Sequence, residues 1–244
     1  MRALLIVAAL GTGASAGPGL DLHLASAGKH PAKLRYAPKK GDKHSISVAV
    51  TGTGDGLPNF NVDFDYVVAD VDKDGTATLD VTVKQATIPA GPHNSEVHPP
   101  VAGAHGKLAV TATGVIGPLA FETDKPIDAD SKGMLGGFAG MVTGCVTQLP
   151  GEAIGAGATW NYQVSAGATL MNAKVEVVKL ANNKLTVHQD LGGKLVQVNS
   201  GATQIVSDAE FGLDDVIPTR NKLVSTSSDG HSVTSITIDL VRTK

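Results

Sequence analysis

The chain has 244 residues, 42% of them hydrophobic and only 4% aromatic, and a formal net charge of -3. That length is enough to bury a real core and suits one large domain or two small ones. No basic run exceeds two residues, so the footprint of a nucleic-acid binder and the polybasic cluster that recruits anionic lipid are both missing.

The first residues read MRALLIVAALGTGASAG. Arg2 is a positive start, residues 3–10 are an apolar run, and Ala14-Ser15-Ala16 is a small-residue cleavage site. Residues 1–16 are therefore expected to be a secretory signal peptide, with an apolar run too short to span a bilayer. The mature protein is expected to be exported, periplasmic or extracellular, with no transmembrane segment after cleavage. Cys145 is the only cysteine, so there is no internal disulfide, and lipid anchoring next to the cleavage site is not expected. Set in an apolar stripe, it reads as a small core residue.

Residues 17–33 are rich in Gly, Ala, Ser and Pro without a sustained period, and read as a flexible lead-in. A single β-rich domain is expected over 34–244. Residues 43–51 alternate Ile46, Val48 and Val50 with polar neighbours, the pattern of a half-buried strand. Residues 60–71 follow with Phe60, Val62, Phe64 and Tyr66. Asp72-Lys73-Asp74-Gly75 supplies a hairpin turn, and 76–88 returns through Ala77, Leu79, Val81 and Val83. Residues 89–106 carry four prolines and read as a long surface loop. Residues 107–113 resume strand character, Gly117-Pro118 breaks it, and 119–123 suits a further short strand.

Residues 131–149 are the best helix in the chain. Met134, Leu135, Phe138, Met141, Val142, Cys145, Val146 and Leu149 recur at three- and four-residue steps and form one stripe. Gly133, Gly136, Gly137, Gly140 and Gly144 fall opposite. Asp128, Asp130 and Ser131 offer capping oxygens, and Pro150-Gly151 stops the helix. Each interior glycine costs about 1 kcal/mol relative to alanine, so the glycine side asks for a close neighbour. That neighbour is either the second half of the sheet or an acyl chain, a lipid or another subunit; a third reading is a mobile glycine-rich segment.

Beyond the helix, strands are expected at 159–164 with Trp160, at 174–180 and 184–189 around Ala181-Asn182-Asn183, at 194–199 and 204–213, and at 222–227 and 232–242 around Ser228-Asp229-Gly230. Gly106-Lys107-Leu108 returns as Gly193-Lys194-Leu195, and Phe121-x-x-Asp124 as Phe211-x-x-Asp214. The expected fold is mainly β with a minor α contribution. It is a curved antiparallel sheet or half-barrel from two related halves, 34–127 and 151–244, with one central helix, 128–150, on its concave side.

Lys39-Lys40-Gly41-Asp42 before the first strand, the hairpin, the mid-chain helix and the Pro150-Gly151 to Thr159-Trp160 opening carry a resemblance. Over 34–244 the chain resembles a family of exported bacterial domains of unknown function. In layout it is also similar to periplasmic lipoprotein-carrier folds, where a curved sheet wraps a helix and encloses a greasy cavity. The family names no catalytic residues, so the resemblance implies none here.

The residues favour a non-enzymatic role, with an enzyme the least favoured alternative. There is no Gly-x-Ser-x-Gly elbow, no His-Glu-x-x-His and no phosphate-binding glycine loop, so no cofactor is expected. The favoured function is binding of a hydrophobic small molecule or lipid between helix and sheet, lined by Met134, Leu135, Phe138, Met141 and Val142. One alternative is a structural or interaction module that contacts an envelope protein without a small ligand. Another is metal binding through His93, Glu96, His98 and His105, whose spacing matches no known zinc pattern. Asp70-x-Asp72-x-Asp74-Gly75 matches the first half of a calcium loop, but Val81 stands where a bidentate Glu is needed. Glu152, Asp214 and Asp215 read as solvated acids near turns, and Trp160 as a core or rim anchor.

Overall fold

The computed structural model describes residues 22–53, 59–90, 95–166, 169–193, 203–228 and 233–243. Residues 1–16 and the strand expected at 194–199 lie outside them. The described strands are β1 (His23–Ser26), β2 (Lys29–Lys33), β3 (Lys43–Thr53), β4 (Phe60–Val71), β5 (Ala77–Thr87), β6 (His105–Val110), β7 (Ala153–Ala156), β8 (Thr159–Ala166), β9 (Thr169–Ala181), β10 (Lys184–Gly193), β11 (Thr203–Gly212), β12 (Arg220–Ser228) and β13 (Val233–Arg242). One helix, α1 (Ala129–Gly144), lies between β6 and β7. The fold is mainly β: a large curved antiparallel sheet that does not close into a barrel.

Eleven strands form that sheet in the order β1-β8-β9-β10-β11-β12-β13-β3-β4-β5-β6. It consists of two antiparallel meanders, β3 to β6 and β8 to β13, joined where β13 pairs with β3, with β1 added at the edge against β8. The period-2 alternation sets which side is buried: Ile46, Val48 and Val50 of β3, Val62, Phe64, Tyr66 and Val68 of β4, and Leu79, Val81 and Val83 of β5 all point into the core. The hairpin between β4 and β5 turns on Gly75, whose φ of 81° suits a residue without a Cβ. Asn182 and Asn183 take φ values of 52° and 61° between β9 and β10, the two consecutive positive angles of a tight hairpin turn.

The start of the described chain differs from the expectation. The described part of the lead-in carries β1, paired with β8, and β2, paired with β7 in a small sheet of its own. β2 is exposed along its whole length, so it has no buried face to impose a period on its sequence. The expected strand at 119–123 is also not a strand. This segment makes single bridges instead, His105 with Glu122 and, just before it, Val110 with Ile116. Part of the proline-rich loop folds back on the sheet: Val101 and Ala104 are buried, and Val83 exchanges backbone hydrogen bonds with Gly103 and Ala104.

The Asp128 side chain caps α1 by accepting the Ser131 N–H at 2.7 Å. The apolar stripe faces the sheet, where Phe138 meets Phe60 and Phe64 at ring-centroid distances of 5.8 and 5.9 Å. The helix ends at Gly144, short of the expected 149. Cys145, Val146 and Leu149 stay buried without being helical. The reason is where their neighbours' polar groups go. Thr147 O accepts from the Tyr36 hydroxyl at 2.9 Å, Gln148 O from the Trp160 indole at 3.0 Å, and Leu149 N donates to Thr113 O at 2.8 Å. Arg35 binds the carbonyls of Pro150 and Gly151 at 3.3 and 3.2 Å. These long-range partners replace a further helical turn and tie β8 to the segment that follows β6.

Candidate functional site

A cleft of about 620 Å³ opens beside α1. One wall is the helix, through Lys132, Leu135, Gly136 and Ala139. The other is the segment from Leu119 to Thr123 together with Ile127. Backbone geometry places that second wall. Gly117 N donates to Ala109 O at 2.7 Å, and His105 and Glu122 exchange two backbone hydrogen bonds. The segment therefore runs along the outer edge of β6 and covers it. Gly106 permits the approach, because a Cβ there would collide with the Ala120 carbonyl. Phe121 stacks on Phe64 at 6.3 Å. Phe121 and Ile127 stay half-buried beside the cleft, while around Gly136 the space is open enough that a Cβ would touch nothing.

The expected ligand lining divides in two. Phe138, Met141 and Val142 are packed into the core with Leu135, and Met134 is half-buried. The aromatic rings of Phe60 and Phe64 fill the space under the helix. A gap of only about 30 Å³ remains there, against Met141, Gly140, Gly144, Cys145 and strands β3, β12 and β13. Leu135 alone of the five reaches the large cleft. Among the described residues the larger space thus lies beside the helix, and the gap under its apolar stripe is small. Among the helix glycines, Gly133, Gly136 and Gly144 are exposed, whereas Gly137 and Gly140 are buried.

The metal candidates do not converge. His93 lies outside the described residues. His98 Nε2 sits 3.0 Å from Glu96 Oε1, both well exposed, and His98 Nδ1 is 3.3 Å from the Thr87 hydroxyl. His105 Nδ1 faces Gly103 O instead, at 3.3 Å. Among the described residues no group of three or more His, Cys, Asp or Glu side chains is arranged to hold a metal. The acids of the β4–β5 turn are also engaged. Asp72 Oδ1 accepts the N–H groups of Asp74 and Thr76 at 2.9 and 2.8 Å. Asp70 pairs with Lys40 at 2.9 Å, which holds its carboxyl below the usual range.

A buried ionic cluster is absent from the sequence reading. Asp215, in the connection between β11 and β12, is 2% exposed and not solvated. Its Oδ1 accepts from the N–H groups of Val216 and Ile217 at 2.7 and 3.2 Å. Its Oδ2 accepts from the Tyr66 hydroxyl at 2.7 Å and lies 3.2 Å from His44 Nε2 and 3.0 Å from Arg242 Nη2. Arg242 also donates to Ile217 O at 2.6 Å. Burial, and then the neighbouring Asp215, push the Tyr66 hydroxyl far above the usual phenol range. The carboxylate is neutralised by one guanidinium and surrounded by five donors, so no lone pair is left for a substrate. Its role is to clamp the β11–β12 connection onto β3, β4 and β13. The signal in the sequence was an acid followed at once by Val216, Ile217 and Pro218, an apolar run unusual for a solvated turn.

Comparison of the chain with protein-family models, curated proteins and solved structures finds no match. The functional reading therefore rests on the residues themselves. Among the described residues no helix is long and apolar enough to cross a membrane.

Proposed function

We propose that the protein is an exported, non-enzymatic binder of a hydrophobic small molecule, held in the cleft between α1 and the segment 119–127. The cleft carries this reading. Its volume of about 620 Å³ falls in the range of about 300–1,000 Å³ occupied by small-molecule sites. Its walls present somewhat more apolar than polar surface, and its charged residues are Glu122 and Lys132. Phe121 and Ile127 gain further burial when a ligand covers them, at roughly 25 cal/mol per Å². Export is supported by the Arg2, apolar-run and Ala14-Ser15-Ala16 pattern at the start of the chain.

The test is native mass spectrometry on mature protein purified from its own compartment, beside a Gly136→Leu variant whose side chain fills the cleft. The expected result is an excess mass that extracts into organic solvent from the wild type and is lost from the folded variant. A clean apo mass for folded wild type overturns the reading. So does an excess mass that survives Gly136→Leu.

A further inference from the structure

We infer that the occupant of this cleft is a single-chain amphiphile with an anionic head, recognised by Lys132; the inference rests on the cleft being a ligand site. Two residues of the helix wall are poor choices for the helix itself. Lys132 lies in the first turns of α1, beside the Asp128 cap, where the positive end of the helix dipole disfavours a cation. No ion pair among the described residues engages it; the lysines that do pair are Lys40, Lys84 and Lys107. One turn further on, Gly136 is a helix-interior glycine in open space, where alanine would make a better helix. Local choices that work against the fold collect at functional sites, and both of these line the same cleft.

Their order along the helix sets the ligand's orientation. From Lys132 the wall continues through Leu135 and Gly136 to Ala139, about 10 Å of helix at 1.5 Å per residue. A cation thus stands at one end of a run of small and apolar residues. That is the complement of a carboxylate, sulfate or phosphate on one alkyl chain, with the head on Lys132 and the chain against Gly136 and Ala139. Glu122, on the opposite wall, is the other charged side chain of the cleft. It opposes an anionic head, so neutralising it should tighten binding.

The experiment titrates decanoate and decanol into the mature protein by calorimetry at pH 8, with Lys132→Gln, Glu122→Gln and Gly136→Leu as variants. Circular dichroism confirms that each is folded. Decanoate is expected to bind saturably, about tenfold more weakly to Lys132→Gln and more tightly to Glu122→Gln. Decanol binding should be indifferent to both charge changes, and Gly136→Leu should abolish binding of either probe. If the two probes bind alike and Lys132→Gln alters neither, the anionic-head inference falls while the cleft reading stands. If neither probe binds the wild type, both fall.

Discussion

The two meanders turn different chemistry toward the core. On β3 to β5 the buried positions include Ile46, Val48, Val50, Val62, Phe64, Val68, Leu79, Val81 and Val83, with Tyr66 contributing one hydroxyl. On β10 to β12 the buried set includes Gln189, Ser207, Asn221 and Ser225 among aliphatic neighbours. Three of these four polar groups are hydrogen-bonded to other buried side chains. Gln189 Nε2 donates to the Tyr162 hydroxyl at 2.6 Å, and the Ser207 hydroxyl donates to Asn221 Oδ1 at 2.7 Å. Of these four, the Ser225 hydroxyl is the one without a hydrogen-bond partner among the described residues. The first wall is held by apolar burial, which has no direction, and α1 packs on it through Phe138. The second wall is held partly by directional pairs, which also fix register: a one-residue slip of β11 on β12 would turn Ser207 outward and leave Asn221 unmatched.

The largest effect that separates the two walls is expected at the helix anchor. Phe138 is fully buried between Phe60 and Phe64. Phe138→Ala removes an aromatic from the apolar wall and leaves a cavity, at a cost of about 3–5 kcal/mol. Urea unfolding followed by circular dichroism measures it. A loss below about 1 kcal/mol would mean that α1 is not anchored on the first wall.

Alkaline pH should act on both walls at once. The chain has three tyrosines, and burial raises the pKa of each: Tyr66 on the first wall, Tyr162 on the second, and Tyr36, which packs on Phe211. The Cys145 thiol is likewise pushed up to about 12 by burial. Folded pKa values above the unfolded ones mean that the native state holds these protons more tightly. The stabilisation is complete below the unfolded values, near 9 for the thiol and about 10 for the phenols, and is lost as pH rises beyond them. Each group contributes about 1.4 kcal/mol per pH unit in that window. Absorbance of tyrosinate should stay flat through pH 10 and then rise in one step together with loss of ellipticity. Independent titration of any tyrosine near pH 10 in folded protein would show that it is not buried. Cys145 should resist thiol reagents at pH 8 until denaturant is added.

These buried groups also show what was legible in the sequence. Strict alternation exposed β3, β4, β5 and β13, since each has one wet and one dry face. The capping oxygen of Asp128 and the stripe through Phe138 marked α1. The C-terminal limit of α1 was not legible, because the apolar residues continue while Tyr36, Trp160 and Thr113 supply hydrogen bonds from far along the chain. β2 was invisible for the opposite reason, having no buried face. Asp215 looked like a turn acid because its partners His44, Tyr66 and Arg242 meet only in the fold. The open space beside α1 was not legible either: periodicity names the buried face of a helix, but not which flank of it is left uncovered.

On the second wall the effects should be smaller and depend on pairing. Ser207→Ala leaves buried Asn221 Oδ1 without its donor, at a cost of about 1–3 kcal/mol. Adding Asn221→Leu removes the stranded amide, and the double variant should recover most of that loss. A double-mutant cycle in urea reads the coupling. Strict additivity would mean that the Ser207–Asn221 hydrogen bond contributes nothing, and the contrast between the walls would reduce to hydrophobicity alone.

The smallest effect is expected to have the opposite sign. Gly136 belongs to neither wall's packing. A methyl group there meets no atom, and the position lies inside α1. Gly136→Ala should therefore stabilise the protein, by up to about 1 kcal/mol, by reducing the freedom of the unfolded chain and raising helix propensity. A ligand that lies against the bare backbone at Gly136 gives that gain a cost. The alanine variant should be harder to unfold and, with its methyl group projecting into the cleft, should bind decanoate more weakly than the wild type. Natural sequences keep such destabilising residues where activity needs the space. If Gly136→Ala raises stability and leaves binding unchanged, the open glycine is incidental to the cleft. If it raises stability and weakens binding together, one residue accounts for both the local defect in the helix and the site beside it.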